Sequence, residues 1–139
     1  MEEEFLFVYG TLRKCFGHPM HHRMIRYADY IASAKVRGKL FDLGNYPGLV
    51  DSGEDDCTVT GDIYLVSNGQ KLFDLLDPYE GVTTAGSTSS EYKREKRAVI
   101  RLDSDERVIC WVYLYNRNPE PYRRIISGDY CAYIHGTLK

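Results

Sequence analysis

Apolar positions along this chain recur mostly with period two, and in two places with the wider spacing of a helix. Phe5 to Tyr9 form a short β-branched and aromatic run that predicts a buried strand, cut off at Gly10-Thr11-Leu12-Arg13. The segment "GHPMHHRMIRY" carries Pro19 near its start and Met20, Met24, Ile25 and Tyr27 at roughly helical spacing, so a short helix is expected. Residues 29–43 alternate apolar with polar and then meet "GNYPG", a turn built on Gly44, Pro47 and Gly48, which predicts one long strand or two. A further alternation over 57–67 faces Val59, Ile63 and Leu65 inward.

Ser67 followed by Gln70 matches a capping box, and Leu72, Phe73, Leu75 and Leu76 then make an apolar stripe. Pro78 disfavours the helical conformation at the residue before it, so this helix is expected to finish by Asp77. The small polar residues from Val82 to Ser90 read as a loop. "EYKREKRAVIRL" and "RVICWVYLYN", separated by "DSDE", read as a hairpin, and the Pro- and Gly-containing tail after Asn116 as irregular. Five or six strands against one or two short helices predict an α+β domain whose sheet curls into a small mixed barrel, removing its edges.

Composition narrows the class. A length of 139 residues fits a single domain spanning 1–139 and can bury one core. With 43% hydrophobic and 27% charged residues and a net charge of −2, the chain carries no electrostatic footprint for nucleic acid; "REKR" at 94–97 and Arg123-Arg124 read as solvated faces. The acidic start and the absence of a long apolar run argue against export and against a membrane, which makes the cytoplasm the expected compartment. The four cysteines, at 15, 57, 110 and 131, lack CxxC spacing and are expected as free thiols.

Candidate chemistry centres on "LDPYEG", which leaves Glu80 just past a helix and before a glycine that permits a sharp turn. Tyr79, Tyr92, Tyr113 and Tyr115 supply aromatic surface able to dry such a carboxylate and raise its pKa toward the working range of a general base. For His18, His21 and His22 no carboxylate or cysteine elsewhere stands at a recognisable ligand spacing, and they are expected at a solvated or pocket-rim position; Cys15 and His18 lack a third orienting group for nucleophilic catalysis.

"VYGTLRK", "YPGLV", "GDIYLV", "LDPYEGV", "YKR", "WVYLY" and "SGDY", in that order, resemble the γ-glutamylcyclotransferase-like family, including its AIG2-like members, over nearly the whole chain. The resemblance implies a small mixed β-barrel with flanking helices, a loop Tyr9, Gly10, Thr11 and Leu12 that offers backbone donors, and Glu80 as acid/base residue. It implies release of 5-oxoproline from a γ-glutamyl compound by attack of its own α-amino group, with no metal or cofactor. Tyr92, Arg94 and Tyr115 are candidate contacts to such a substrate. The loop from Val82 to Ser90 is a candidate lid, and the leaving group is expected to be loosely selected. The alternative is a non-catalytic small-molecule binding or interaction module that keeps the same pocket.

Overall fold

The computed structural model describes residues 3–53, 57–81 and 90–136. Strands β1 (Glu4–Val8), β5 (Thr58–Val66), β2 (Ala28–Arg37), β6 (Tyr92–Arg101) and β7 (Arg107–Tyr115) form a closed barrel in that spatial order. Every neighbouring pair is antiparallel except β1 and β7, whose parallel pairing of Leu6 with Trp111 and Phe7 with Val112 closes the ring. Strands β3 (Lys39–Asp42), β4 (Pro47–Val50) and β8 (Arg123–Ile125) make a separate small sheet in the order β4-β3-β8. The alternating stretch 29–43 is therefore two strands in two sheets.

Period-two alternation divides the barrel strands between two cores. Phe7, Ala34, Val36, Val59, Ile63, Val99 and Val112, drawn from all five strands, gather inside the barrel and continue into Leu40, Leu49 and Ile125 of the small sheet. Leu6, Val8, Tyr64 and Tyr113, from the opposite faces, pack outward against Met24 of α1 (Pro19–Met24) and Leu72, Phe73 and Leu76 of α2 (Gly69–Tyr79). The expected barrel is thus present, with helices covering one side of it.

Local details depart from the sequence reading in four places. Asn68, not Ser67, caps α2: its Oδ1 accepts from Lys71 N at 3.1 Å, while Gln70 turns its amide to Asp74 and forms no capping box. The helix also passes Asp77 and ends at Tyr79. Pro78 is tolerated because it is exposed and sits in the last turn, where its missing N–H removes a single helical bond. The tail, expected to be irregular, contributes β8 and a third helix, α3 (Tyr130–Gly136), started by Asp129 Oδ1 accepting from Ala132 N at 3.0 Å. Cys15 and Cys131, expected as free thiols, are joined in a disulfide, whereas Cys57 and Cys110 are in no disulfide. Among the described residues no helix is long and apolar enough to cross a membrane.

Candidate active site

Strand β1 delivers its last residues to the rim of the barrel, where Tyr9 is fixed from two sides. Its hydroxyl donates to the Tyr113 carbonyl at 2.5 Å and accepts from Leu49 N at 3.2 Å, tying β1 to β7 and β4. Beyond it the chain folds over Gly10, with Arg13 N donating to the Gly10 carbonyl at 3.0 Å. Gly10 has no positive φ, so conformational freedom does not explain it. Close approach does: a Cβ there would lie 2.9 Å from both Cδ and Cγ of the Pro47 ring. Gly10, Thr11 and Leu12 donate their N–H groups to no backbone partner among the described residues, which leaves them as open donors at the strand end.

Two further elements brace this loop. His21, buried in α1, donates from Nδ1 to the Leu12 carbonyl at 2.7 Å, so it holds the loop's end and does not stand solvated at the rim. His18 caps α1 through Met20 N and meets the Tyr79 ring edge-on, and His22 is exposed. The three histidines therefore serve three different ends, and among the described residues no three His, Cys, Asp or Glu side chains group as a metal set. On the far side, buried Arg13 ion-pairs with Asp129 at 3.0 Å and lies 3.5 Å from Asp62, while the disulfide joins Cys15 to α3. Burial raises the Asp62 pKa and the Arg13 charge opposes that rise.

Glu80 approaches the loop from α2. Its N–H still closes the helix on the Leu76 carbonyl at 2.9 Å, and Gly81, at φ +71°, then turns the chain in the left-handed region that favours glycine. A carboxylate at a helix C-terminus faces the negative end of the macrodipole, an unfavourable place for charge. The residue as a whole is half-buried, but its carboxyl group is enclosed by protein. Desolvation first, then the charges of Glu91 and Asp77, push its pKa from 4.5 up to about 8.

Asp77, one turn earlier, is the anchor that aims this corner. It accepts from the Tyr113 hydroxyl at 2.6 Å and from Arg94 Nε and Nη2 at 2.9 and 3.2 Å, and the Arg94 guanidinium stacks over Phe73 with its carbon 3.9 Å from the ring centre. Arg94 is thereby committed beneath α2.

A cavity of about 200 Å³ joins these parts. Tyr9, Gly10, Thr11, Leu12, Glu80 and Tyr92, all named from sequence, line it together with Tyr46, Pro47, Tyr79, Glu91 and Tyr113. Arg94 and Tyr115 are not among its lining residues; Tyr115 packs edge-on against Tyr92 behind the wall. Burial raises the pKa of Tyr9, Tyr92 and Tyr113, so their hydroxyls remain protonated and act as fixed donors, Tyr92 to the Pro47 carbonyl at 2.6 Å. Sequence reasoning missed Glu91 and Tyr46. Tyr46 donates to Glu91 Oε2 at 2.6 Å, a bond that raises the tyrosine pKa to about 12. Of the candidate lid, Val82 to Ser90, residues 82–89 lie outside the described residues, and Ser90 is buried with its carbonyl accepting from Asn116 Nδ2 at 3.1 Å.

Barrel, helix end and strand-end loop together define a small α+β barrel protein whose cavity is built around one enclosed carboxyl group. The chain belongs to the gamma-glutamyl cyclotransferase, AIG2-like family, whose description matches residues 6–132. It is 30% identical over 131 residues to a Methanocaldococcus jannaschii protein named "Putative gamma-glutamylcyclotransferase", covering 94% of this chain and 98% of that one. Its fold is similar to that of YkqA from Bacillus subtilis, with TM-score 0.71 and 26% identity over 99% of this chain but only 44% of that protein. The AIG2-like protein of Mus musculus is similar at TM-score 0.66 and 26% identity, over 88% of this chain and 87% of the mouse one.

Proposed function

We propose that this protein releases 5-oxoproline and a free amine from a γ-glutamyl compound, with Glu80 carrying the proton. Family membership supports the reaction class. The observation that carries the reading is the enclosed Glu80 carboxyl, raised to about 8, on the same cavity as the open N–H groups of Gly10 to Leu12.

The chemistry balances within one substrate. Its α-ammonium gives a proton to the Glu80 carboxylate, and the freed amine attacks the γ-carbonyl carbon. The amide C–N bond breaks as the Glu80 carboxyl returns the proton to the departing nitrogen, and the second proton of the attacking nitrogen passes by way of the same carboxylate to the released amine, which leaves as an ammonium ion beside the neutral lactam. No water is consumed. A carboxyl whose pKa lies near 8 is well matched to both steps, because it is neither too weak a base for an ammonium nor too weak an acid for a departing amine. The loop N–H groups suit either the substrate α-carboxylate or the oxygen on which negative charge develops. The enclosing tyrosine rings favour the folded, near-attack shape of the substrate.

The test is 5-oxoproline formation from γ-glutamyl amines and amino acids by the parent and by Glu80→Gln. The variant should lose about 10²-fold or more in kcat while binding persists. For the parent, log kcat/KM should climb with a slope near one up to about pH 8, the pH at which Glu80 becomes ionised. Tight binding of every compound without product points instead to a binding module.

A further inference from the structure

One covalent link reaches the donor loop from outside the cavity. Cys15 stands in the short turn Lys14–Phe16 that follows the loop, and its disulfide to Cys131 crosses 116 positions of sequence to α3. Neither cysteine lines the cavity. The same segment meets α3 and its flank through the Arg13–Asp129 ion pair at 3.0 Å and through the Phe16 ring, whose centre lies 5.5 Å from that of Tyr130 and 5.8 Å from that of His135. On the barrel side the bracing is by hydrogen bonds to His21 and Asp62. The pair is also arranged for exchange. Cys15 is exposed, whereas Cys131 is half-buried with its Sγ 3.9 Å from Nδ1 of His135, one turn further along α3. An imidazole beside a sulfur favours its thiolate, which makes Cys131 the better leaving group and Cys15 the sulfur that an incoming thiol reaches.

Resting on the proposed reaction for its kinetic readout alone, we infer that Cys15 and Cys131 form a thiol–disulfide exchange site for small thiols and disulfides, whose redox state sets how firmly the loop Gly10 to Leu12 is held for substrate. A small thiolate attacks Cys15 Sγ, the bond to Cys131 breaks, and Cys131 leaves as a thiolate beside His135. A second small thiolate attacks the sulfur that the first one brought, which frees Cys15 and releases one small disulfide. Two thiols are oxidised, the protein disulfide is reduced, and the two thiol protons end on Cys15 and Cys131. The small disulfide is the oxidant of the reverse reaction. With the bond open, the ion pair and the ring contacts hold the loop to α3 reversibly. A loop already ordered spends no binding energy on its own ordering, so the disulfide form binds substrate more tightly. Proton transfer is untouched, because Glu80 comes from α2.

The experiment equilibrates the parent, Cys15→Ser and Cys131→Ser with dithiothreitol or with 2-hydroxyethyl disulfide. Alkylation of the denatured parent should label two more thiols after reduction than after oxidation. Hydrogen exchange should then be read at the amides of Arg13, Lys14 and Phe16, which donate to Gly10, Asp62 and Arg13. In the parent it should speed up by about tenfold on reduction, and in both serine variants it should match the reduced parent under either treatment. Reduction should raise KM for a γ-glutamyl substrate by about five- to tenfold, with kcat within about twofold. His135→Gln should slow the opening of the disulfide by dithiothreitol about threefold. Equal labelling after the two treatments overturns the exchange site, and an opening rate untouched by His135→Gln overturns the choice of leaving sulfur. Amide exchange or KM that is the same in both redox states of the parent overturns the coupling to the loop. Absence of 5-oxoproline in both states overturns the reaction, and the amide exchange then decides the clamp independently.

Discussion

Replacing Glu80 by glutamine should make the protein more stable in alkaline solution while disabling it. The folded state holds the Glu80 proton up to about pH 8, whereas in the unfolded chain it leaves near 4.5. Between those values the folded state binds more protons than the unfolded one, so raising the pH costs stability, progressively through 4.5 to 8 and no further above. At 1.36 kcal/mol per pH unit the full interval is worth about 5 kcal/mol. Relaxation around an ionised carboxylate, and the partial exposure of the residue, bring the expected figure down to roughly 2–4 kcal/mol. Glutamine does not titrate and escapes this cost. Urea midpoints of the parent and Glu80→Gln should coincide within error near pH 4, separate through neutrality, and differ by that amount, or by about 5–15 °C in Tm, at about pH 8.5. A gap that stays constant from about pH 4 to about pH 8.5 refutes the placement of this carboxyl in a desolvated, like-charged site.

Gly10→Ala should destabilise by about 1–3 kcal/mol in urea unfolding, because its methyl group meets the rigid Pro47 ring at 2.9 Å and one of the two segments must move. Asp77→Asn should cost about 1–3 kcal/mol by the same measurement, since Arg94 and Tyr113 lose their charged acceptor; removal of that charge should also move the rise of kcat/KM to lower pH, because Asp77 is one cause of the raised Glu80 pKa. Cys131→Ser should lower the Tm measured under oxidising conditions and leave it unchanged in excess dithiothreitol, where Cys15 and Cys131 are already apart in the parent.

How much of this was readable in advance follows from how local each signal is. The strand read at Phe5–Tyr9, the alternation over 57–67, the apolar stripe of α2 and the β6–β7 hairpin are encoded within a few residues, and each formed, although β1 stops at Val8 and Leu65, read as inward-facing, is half-buried and joins neither core. The placement of Glu80 was readable for the same reason, since a helix end followed by a glycine is a short-range pattern. What stayed hidden depends on partners far along the chain. Arg94 looks like a free cation until Asp77 is seen beneath it, and His21 looks solvated until its ring is found against Leu12. Helix α3 has seven residues and depends on its docking through Asp129 and Cys131 to the loop after β1. Glu91, a lone acid before a strand, carries no local signal at all; only the cavity reveals it.

The parallel contact between β1 and β7 sets an order of events in time. Among the described residues β1 pairs only with β5 and β7, and the loop that follows it is pinned by Asp129 and Cys131. Phe5 to Val8 can therefore meet β5 once Val66 has been made, but they wait for β7 on their other side, and the loop after them waits for Asp129 and Cys131, while the local β6–β7 hairpin needs no distant partner. The loop that carries the open donors of Gly10 to Leu12 is pinned only after Asp129 and Cys131 have docked. The cavity, which needs this loop beside Tyr92 of β6 and Tyr113 of β7, is consequently a product of long-range docking, and its appearance reports that docking where a secondary-structure signal does not.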